Sequence, residues 1–164
     1  MAITKIPTER FSTVSTKSFA DVVASIEAAV GHPNLGQLFQ AIAAAKTYPE
    51  VEEMVAKVTG PTDLMEFMRF DMGAVINKGK PAPQRNSIRF LIGNPVTMRK
   101  MAEHIADAAS YAPITVLIDE RPDGVHLSYD RISTSLALYG NATASAVATE
   151  LDRNVETILI NAAG

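Results

Sequence analysis

The sequence predicts an α+β domain, in which helices cover a mainly antiparallel β-sheet in two layers. Two observations lead to this class. Short stretches of alternating apolar and polar residues, the pattern of half-buried strands, are separated by stretches with apolar residues at every third or fourth position, the pattern of amphipathic helices. A β-hairpin in the second half of the chain indicates antiparallel pairing, because a tight turn joins its two strands directly.

Length and composition indicate a single domain over residues 1–164. Of the 164 residues, 47% are hydrophobic and 20% are charged, as in an ordinary globular protein. The net charge of −3 argues against a nucleic-acid partner, which normally requires a basic excess. The sequence shows no apolar run of the kind that forms a signal peptide or crosses a bilayer. We therefore expect a cytoplasmic protein without a membrane partner.

The first half of the chain predicts one strand followed by three helices. Residues 8–16, rich in Ser, Thr and aromatic side chains, favour a strand, and Ser18 is placed to cap the first helix. Two shorter helical patterns follow at 34–45 and 50–58, and their apolar stripes are narrow. Narrow stripes bury little area, so we expect these helices to be held less firmly than the C-terminal helix.

The middle of the chain returns to strands. Residues 64–72 and 88–92 alternate, and Asn94 followed by Pro95 is typical of a helix start. That helix is predicted to bury one stripe of apolar side chains: Met98, Met101, Ala102, Ile105 and Ala109. Two helices end the chain, and the last keeps helical spacing of apolar residues from 144 to 159.

The clearest element is the hairpin of residues 113–120 and 125–130 around a Pro-Asp-Gly turn. A three-residue loop with a bulge would bring Asp119 to the face of the apolar residues, whereas a four-residue loop pairs Asp119 with His126. Burial of one consistent apolar face favours the four-residue loop. In that register four side chains share the buried face: Val116, Ile118, Leu127 and Tyr129.

Four polar side chains are candidates for acid–base chemistry. Asp119 opposite His126 would raise the basicity of the imidazole, as a general base requires, or it would form an exposed cross-strand ion pair. His104 lies three positions before Asp107 on the predicted helix, where the alternative is a solvated helix face. Asp71 ends a strand; a buried carboxylate there would have a perturbed pKa, whereas a solvated or arginine-paired one would be unremarkable.

Soft apolar side chains suggest a ligand pocket. Seven methionines and six phenylalanines are present, several of them in the strand at 65–72 and the helix at 98–101, and such side chains line adaptable apolar pockets. We expect the helices at 34–45 and 50–58 to act as a lid over this part of the sheet. The alternative is a permanent helical layer without a cavity. The predicted ligand-binding residues are Phe39, Phe67, Met68, Met101 and His104.

No metal or cofactor site is predicted. The three histidines, at positions 32, 104 and 126, do not have the spacing of metal ligands, and there is no cysteine. The Gly-Asn-Pro sequence at 93–95 lacks the glycine spacing that cradles phosphates. Carboxylates alone would hold magnesium or calcium only weakly.

Three segments, at 70–74, 90–95 and 112–130, together with residues 16–19 before the first helix, carry a resemblance that spans nearly the whole chain. They resemble the family of the domain of unknown function 302. The resemblance implies a TATA-binding-protein-like fold and a homodimer, and it implies no established activity, so no catalytic residue is carried over. Met72 stands where that family often has a histidine, and residues 31–62 look like a helical insertion.

The function predicted first is the binding of a small, largely apolar molecule by a homodimer. The alternatives are a cofactor-independent enzyme acting on a small hydrophobic substrate, and a structural or partner-binding module. Ligand-dependent stabilisation separates the first two from the third, because a compound that binds only the native state raises its melting temperature. Turnover of the bound compound separates the enzyme from the binding protein.

Overall fold

The computed structural model describes residues 3–82 and 84–164, which contain five strands and seven α-helices. The strands are β1 (Arg10–Ser15), β2 (Met65–Asp71), β3 (Ser87–Gly93), β4 (Ile114–Arg121) and β5 (Gly124–Asp130). The helices are α1 (Phe19–Ala29), α2 (Leu35–Ala44), α3 (Tyr48–Ala56), α4 (Met72–Ile76), α5 (Pro95–Ala102), α6 (Ile132–Leu136) and α7 (Ala142–Ala163). Two short 3₁₀ segments follow α5 and α6, at Ala106–Ser110 and Ala137–Tyr139.

The strands form one antiparallel sheet in the order β1-β5-β4-β3-β2. The hairpin strands extend further than predicted, because Arg121 pairs with Gly124 and only two residues remain in the turn. Gly124 has a φ of 137°, and a Cβ there would lie 2.7 Å from the carbonyl oxygen of Ser15, so the position requires glycine. The predicted register is confirmed by two pairs: Val116 with Tyr129 and Ile118 with Leu127.

Helices cover one face of the sheet, which confirms the α+β class predicted from the sequence. Alternate residues of β3, β4 and β5 point to this covered face and meet buried side chains of α1, α5, α6 and α7. Burial of each large apolar side chain contributes roughly 1.5–3 kcal/mol, so this cluster dominates the stability of the fold. Its largest members on the sheet are Phe90, Ile92, Ile118, Leu127 and Tyr129.

Side-chain caps begin α1, α2 and α5. Ser18 accepts a hydrogen bond from the backbone N–H of Asp21, and Asn34 accepts one from that of Gln37. Asn94 accepts from two amides of α5, at 2.8 and 3.4 Å. Amides in the first turn of a helix have no partner within the helix, so each cap satisfies a group that would otherwise need water.

Helix α5 is shorter than predicted. It ends at Ala102, and after a turn the chain continues as the 3₁₀ segment Ala106–Ser110. A 3₁₀ helix repeats every three residues, so the buried position after Ile105 is Ala108, whereas Ala109 is exposed. The predicted apolar stripe is therefore wrong at its end, because the 3.6-residue period of an α-helix does not continue into the 3₁₀ segment, which has a shorter period.

Helices α2 and α3 pack on a second, smaller apolar cluster at the start of β2. Its buried members are Leu38, Val55 and Met65. The backbone approaches itself closely beside this cluster, since a Cβ on Gly31 would lie 1.9 Å from the carbonyl oxygen of Val58. Only glycine fits at that position without a backbone shift. We call this group the second cluster.

The opposite face of the sheet, which we call the open face, carries polar and half-buried side chains. Val14 and Met68 on this face are 47% and 49% exposed, so the described helices leave it accessible. Side chains at equivalent positions of neighbouring strands lie next to each other on one face. One such row crosses the whole sheet: Phe70, Arg89, Leu117, Ser128 and Ser12.

Candidate functional site

A cleft of about 430 Å³ lies on the open face, at the end of the sheet where β1 and β4 begin and β5 ends. Its floor includes Arg89, Leu117 and Ser128, and its walls come from segments just outside the strands. Antiparallel pairing brings these strand ends together, so residues far apart in the chain line one cleft. We call it the open-face cleft.

Arg89 is the main charged group of the cleft floor. It alternates with Ile88 and Phe90 along β3, so its side chain points away from the covered face. Its guanidinium carbon lies 4.8 Å from the centre of the Phe70 ring, a cation–π geometry. Within the part of the chain that the structure describes, no carboxylate lies within ion-pairing distance of Arg89. Its positive charge is therefore available to a ligand.

An ion pair forms one side of the cleft. Arg10 Nε and Nη2 donate to the two carboxylate oxygens of Asp130, at 2.6 and 2.8 Å. The hydrogen bonds and charge of Arg10 hold the pKa of Asp130 below its usual range, although partial burial opposes them. The two charges cancel, so this pair adds no net charge to the cleft.

Hydroxyl groups line much of the remaining surface. The hydroxyl oxygens of Thr8 and Ser135 lie 3.4 Å apart in one wall. Thr115 and Ser128 contribute hydroxyls to the floor, and Tyr111 stands in the other wall. A hydroxyl both donates and accepts hydrogen bonds, so these groups suit a ligand with carboxylate, carbonyl or hydroxyl oxygens.

The wall around Tyr111 is supported from outside the cleft. Tyr139 donates a hydrogen bond to Asp107 Oδ2 at 2.9 Å. The hydrogen bond with Asp107, followed by one with Tyr111, raises the pKa of Tyr139 above its ordinary value. These contacts join the two 3₁₀ segments beside the cleft, so the wall has a defined position.

A buried carboxylate lies elsewhere on the open face. Asp119 is 1% exposed and accepts from Arg85 Nε at 2.6 Å, from Arg85 Nη2, and from Arg121 Nε at 2.9 Å. Burial raises the pKa of Asp119, but the hydrogen bonds and charges of the two arginines outweigh it and hold the pKa below its ordinary value. Asp119 pairs with His126 in the strand register, as predicted, yet the imidazole Nε2 contacts Asp123 Oδ1 at 2.9 Å instead. The Asp119 carboxylate therefore does not orient the imidazole.

A second buried carboxylate lies on the covered face. Asp152 of α7 accepts from the Tyr129 hydroxyl and from the backbone amides of Ile132 and Ser133, the amides at 3.0 and 3.1 Å. Burial, followed by the charge and hydrogen bond of Asp152, raises the pKa of Tyr129 well above its ordinary value. These contacts attach the end of β5 and the start of α6 to α7, which is a structural role.

The structure brings together two of the predicted ligand-binding residues. The rings of Phe39 and Phe67 lie 6.3 Å apart at an angle of 46°; Phe67 packs against the second cluster, whereas Phe39 is exposed at its edge. Met101 is fully buried in the main core instead. Val96, five positions earlier on α5, packs against the second cluster. Five positions along an α-helix amount to one full turn plus a rotation of about 140°, so Val96 and Met101 point to different sides of α5. Helix α5 thus separates Met101 from the two phenylalanines.

Met68 and His104 lie apart from these rings. Met68 is half exposed on the open face. His104 is exposed on the turn after α5, with Nε2 3.8 Å from Glu103 Oε1. None of the five predicted ligand-binding residues lines the open-face cleft, the hollow beside Asp71 or the one beside Asp63. Ligand binding at the second cluster, and a lid formed by α2 and α3, stay predictions.

Asp71, the last acid–base candidate, caps a helix. Its Oδ1 accepts from the backbone N–H of Ala74 at 2.8 Å. It borders a second hollow of about 430 Å³, whose lining consists mainly of exposed polar residues such as Lys78 and Lys80. Across residues 3–82 and 84–164, no three His, Asp or Glu side chains come close enough to hold a metal ion.

The residues of the open-face cleft are not among those predicted from the sequence. For Arg89, Thr115 and Ser128 a signal exists, since each alternates with buried residues on one of three neighbouring strands. Polar residues at such positions share the solvent face of a sheet. For Tyr111 and Ser135 no local signal exists, because only the tertiary fold brings these connecting segments to the same strand ends.

Comparisons with known proteins identify the family. Residues 40–162 match the model of the family described as Domain of unknown function DUF302. The crystal structure of an uncharacterized conserved protein DUF302 from Bacillus stearothermophilus is similar to this chain, with a TM-score of 0.64 and 6% identity, over 94% of this chain and 98% of that one. At that identity the similarity concerns the fold alone.

No curated protein matches the chain. In the described residues, no helix has the length and apolar character needed to cross a membrane. The family model matches well over half of the chain, from the middle of α2 to the end of α7. The chain therefore belongs to the DUF302 family, as its sequence resemblance predicts.

Proposed function

We propose that this protein binds a small organic molecule in the open-face cleft. The observation that carries the proposal is the cleft itself, a hollow of about 430 Å³ that combines apolar surface with several hydrogen-bonding groups. Binding sites for small molecules typically measure ~300–1,000 Å³ and pair apolar lining with a few polar groups. Small-molecule binding is also the function predicted from the sequence. The proposed site differs from the predicted one, because it lies on the open face and not at the second cluster.

The apolar part of such a ligand would lie on Leu117 and against Pro113, with the ring of Tyr111 beside it. Each Å² of apolar surface removed from water contributes roughly 25 cal/mol, so covering these side chains supports binding of a compact apolar body. The surrounding hydroxyls of Thr115 and Ser128 would orient its polar end.

Binding is favoured over catalysis by the groups that face the cleft. Its charged side chains are Arg10, Arg89 and Asp130. An arginine stays protonated at all ordinary pH values, and Asp130 is occupied by its hydrogen bonds from Arg10. The acid–base candidates Asp119 and His126 do not line the cleft. An enzymatic role at those candidates stays a prediction.

The test is a thermal-shift screen with a library of single-ring compounds that carry acidic, basic or neutral polar groups. We expect at least one compound to raise the melting temperature and to shift the backbone amide resonances of residues lining the cleft. Thr115→Trp fills the floor and should abolish both effects. Val14→Trp is the matched control, because Val14 is also an exposed β-branched residue of the open face but does not line the cleft.

Two results would contradict the proposal. The first is a library in which no compound stabilises the protein. The second is stabilisation that survives Thr115→Trp and shifts resonances around Phe39 and Phe67, which would return the site to the second cluster.

The homodimer and the cytoplasmic location stay proposals of their own. Sedimentation velocity at micromolar concentration tests the first, and a single species of 17.6 kDa would contradict it. Fractionation of the native cells tests the second.

A further inference from the structure

We propose that the open-face cleft selects small carboxylic acids and that Arg89 binds their carboxylate. This inference rests on the proposed function and adds the chemical class of the ligand. It follows from the charge of the cleft, the position of the guanidinium and the surface next to it.

The charge of the cleft favours an anion. Arg10 and Asp130 neutralise each other, and Arg89 has no carboxylate partner among the described residues. The cleft therefore carries one uncompensated positive charge. A neutral or cationic ligand would leave that charge without a partner, whereas a monoanion would neutralise it.

The guanidinium of Arg89 is held in place before any ligand arrives. The Phe70 ring lies against it at 4.8 Å, and Phe70 and Arg89 are direct partners across β2 and β3. A guanidinium presents planar N–H groups that match the two oxygens of a carboxylate. Because the ring restricts the long side chain, less rotamer entropy is lost when the carboxylate binds.

The surface beside the guanidinium determines the rest of the ligand. Leu117 is the direct cross-strand partner of Arg89, and Ser128 follows in the same row. A carboxylate bound to Arg89 would thus lie one strand away from the apolar side chain of Leu117 and two strands away from the hydroxyl of Ser128. This order suits an acid with one apolar ring and suits inorganic phosphate poorly, because phosphate would leave Leu117 uncovered.

The test compares acids with amides of the same shape by isothermal titration calorimetry. The probes are benzoate and benzamide, cyclohexanecarboxylate and its amide, and inorganic phosphate. We expect each acid to bind at least tenfold more tightly than its amide, a difference of about 1.4 kcal/mol. We also expect the affinity of the acid to fall with added salt while that of the amide stays constant.

Variants connect this preference to Arg89. Arg89→Gln should remove the difference between acid and amide, and Arg89→Lys should keep part of it because the charge remains without the planar fork. Arg153→Gln is the control, since Arg153 is an exposed arginine of α7 outside the cleft. It should change neither affinity. Phe70→Leu should weaken acid binding a few-fold without changing the charge, and it serves as a second variant if Arg89→Gln does not fold.

The outcomes separate this inference from the proposed function. Equal binding of acid and amide in the cleft overturns the selection of acids and leaves small-molecule binding intact. The same holds if other library compounds bind in the cleft while no acid does. If no compound binds there at all, both proposals fail. Phosphate binding as tight as benzoate would overturn the requirement for an apolar body.

Discussion

The two faces of the sheet each hold one carboxylate that is almost completely buried, but the groups around the two carboxylates differ. Asp152 on the covered face is 4% exposed and accepts hydrogen bonds only from neutral donors. Asp119 on the open face is 1% exposed and is covered by two arginines that are themselves 48% and 45% exposed. The loss of water around a charge is thus compensated in two ways, by neutral hydrogen-bond donors in the core and by charged side chains at the surface.

The difference has consequences for what each face can do. On the covered face, the hydrogen bonds of Asp152 fasten β5, α6 and α7 together. On the open face, two arginines over one carboxylate leave an excess positive charge, as Arg89 does in the cleft. The covered face therefore determines the packing, and the open face presents groups that can meet a ligand.

The largest effect is expected from Asp152→Ala. The substitution removes the acceptor of the buried Tyr129 hydroxyl and of the Ser133 amide, and it leaves the Ile132 amide only the Tyr129 oxygen at 3.3 Å. Such losses typically cost about 3–5 kcal/mol of unfolding free energy. Urea unfolding followed by circular dichroism measures it. Tyr129→Phe is the matched control, with a smaller loss because Asp152 keeps its two amide donors. A loss of unfolding free energy below ~1 kcal/mol for Asp152→Ala would mean that the carboxylate on the covered face does not have the structural role assigned to it.

A smaller and pH-dependent effect is expected from Asp119→Asn. The arginine partners are half exposed and regain water when the carboxylate is removed, so we expect a loss of about 1–3 kcal/mol at pH 7. The folded-state pKa of Asp119 is depressed, so its contribution is present above the unfolded pKa of about 3.9 and is lost as the pH falls through the folded value. Wild type and variant should therefore differ at pH 7 and converge in acid. A difference that stays constant down to pH 2 would contradict the assignment.

Much of the fold is predictable from the sequence because its signals are local. The hairpin register follows from one alternating pattern around one turn, and Ser18, Asn34 and Asn94 cap helices through contacts within three residues. The end of α5 is not predictable in this way. Apolar residues fit a helical period up to Ala109, and only the packing of the folded chain selects the 3₁₀ path that buries Ala108.

The site was harder to predict, for two physical reasons. The hydrophobic pattern indicates that the side chains of Phe39 and Phe67 lie close together, as their rings do, but the same pattern describes packed side chains and side chains that line a hollow. The open-face cleft depends on strand ends that meet only through the sheet order, so Thr8 and Ser135, 127 positions apart, come within 3.4 Å. No pattern in the sequence predicts that these two residues lie close together.

The smallest effect on stability is expected from Arg10→Gln. This substitution also separates an effect on ligand affinity from an effect on stability most clearly. Arg10 and Asp130 are 65% and 47% exposed, and exposed ion pairs contribute about 0–1 kcal/mol to stability. The substitution leaves the Asp130 carboxylate without its partner and brings the net charge of the cleft from one positive charge to zero. We therefore expect unfolding in urea to be nearly unchanged, while calorimetry shows benzoate binding weakened about threefold at low salt, an effect that salt should reduce. A loss of unfolding free energy well above 1 kcal/mol would mean that the Arg10–Asp130 pair, like Asp152, is a structural contact. Unchanged benzoate affinity would show that the net charge of the open face does not affect ligand binding.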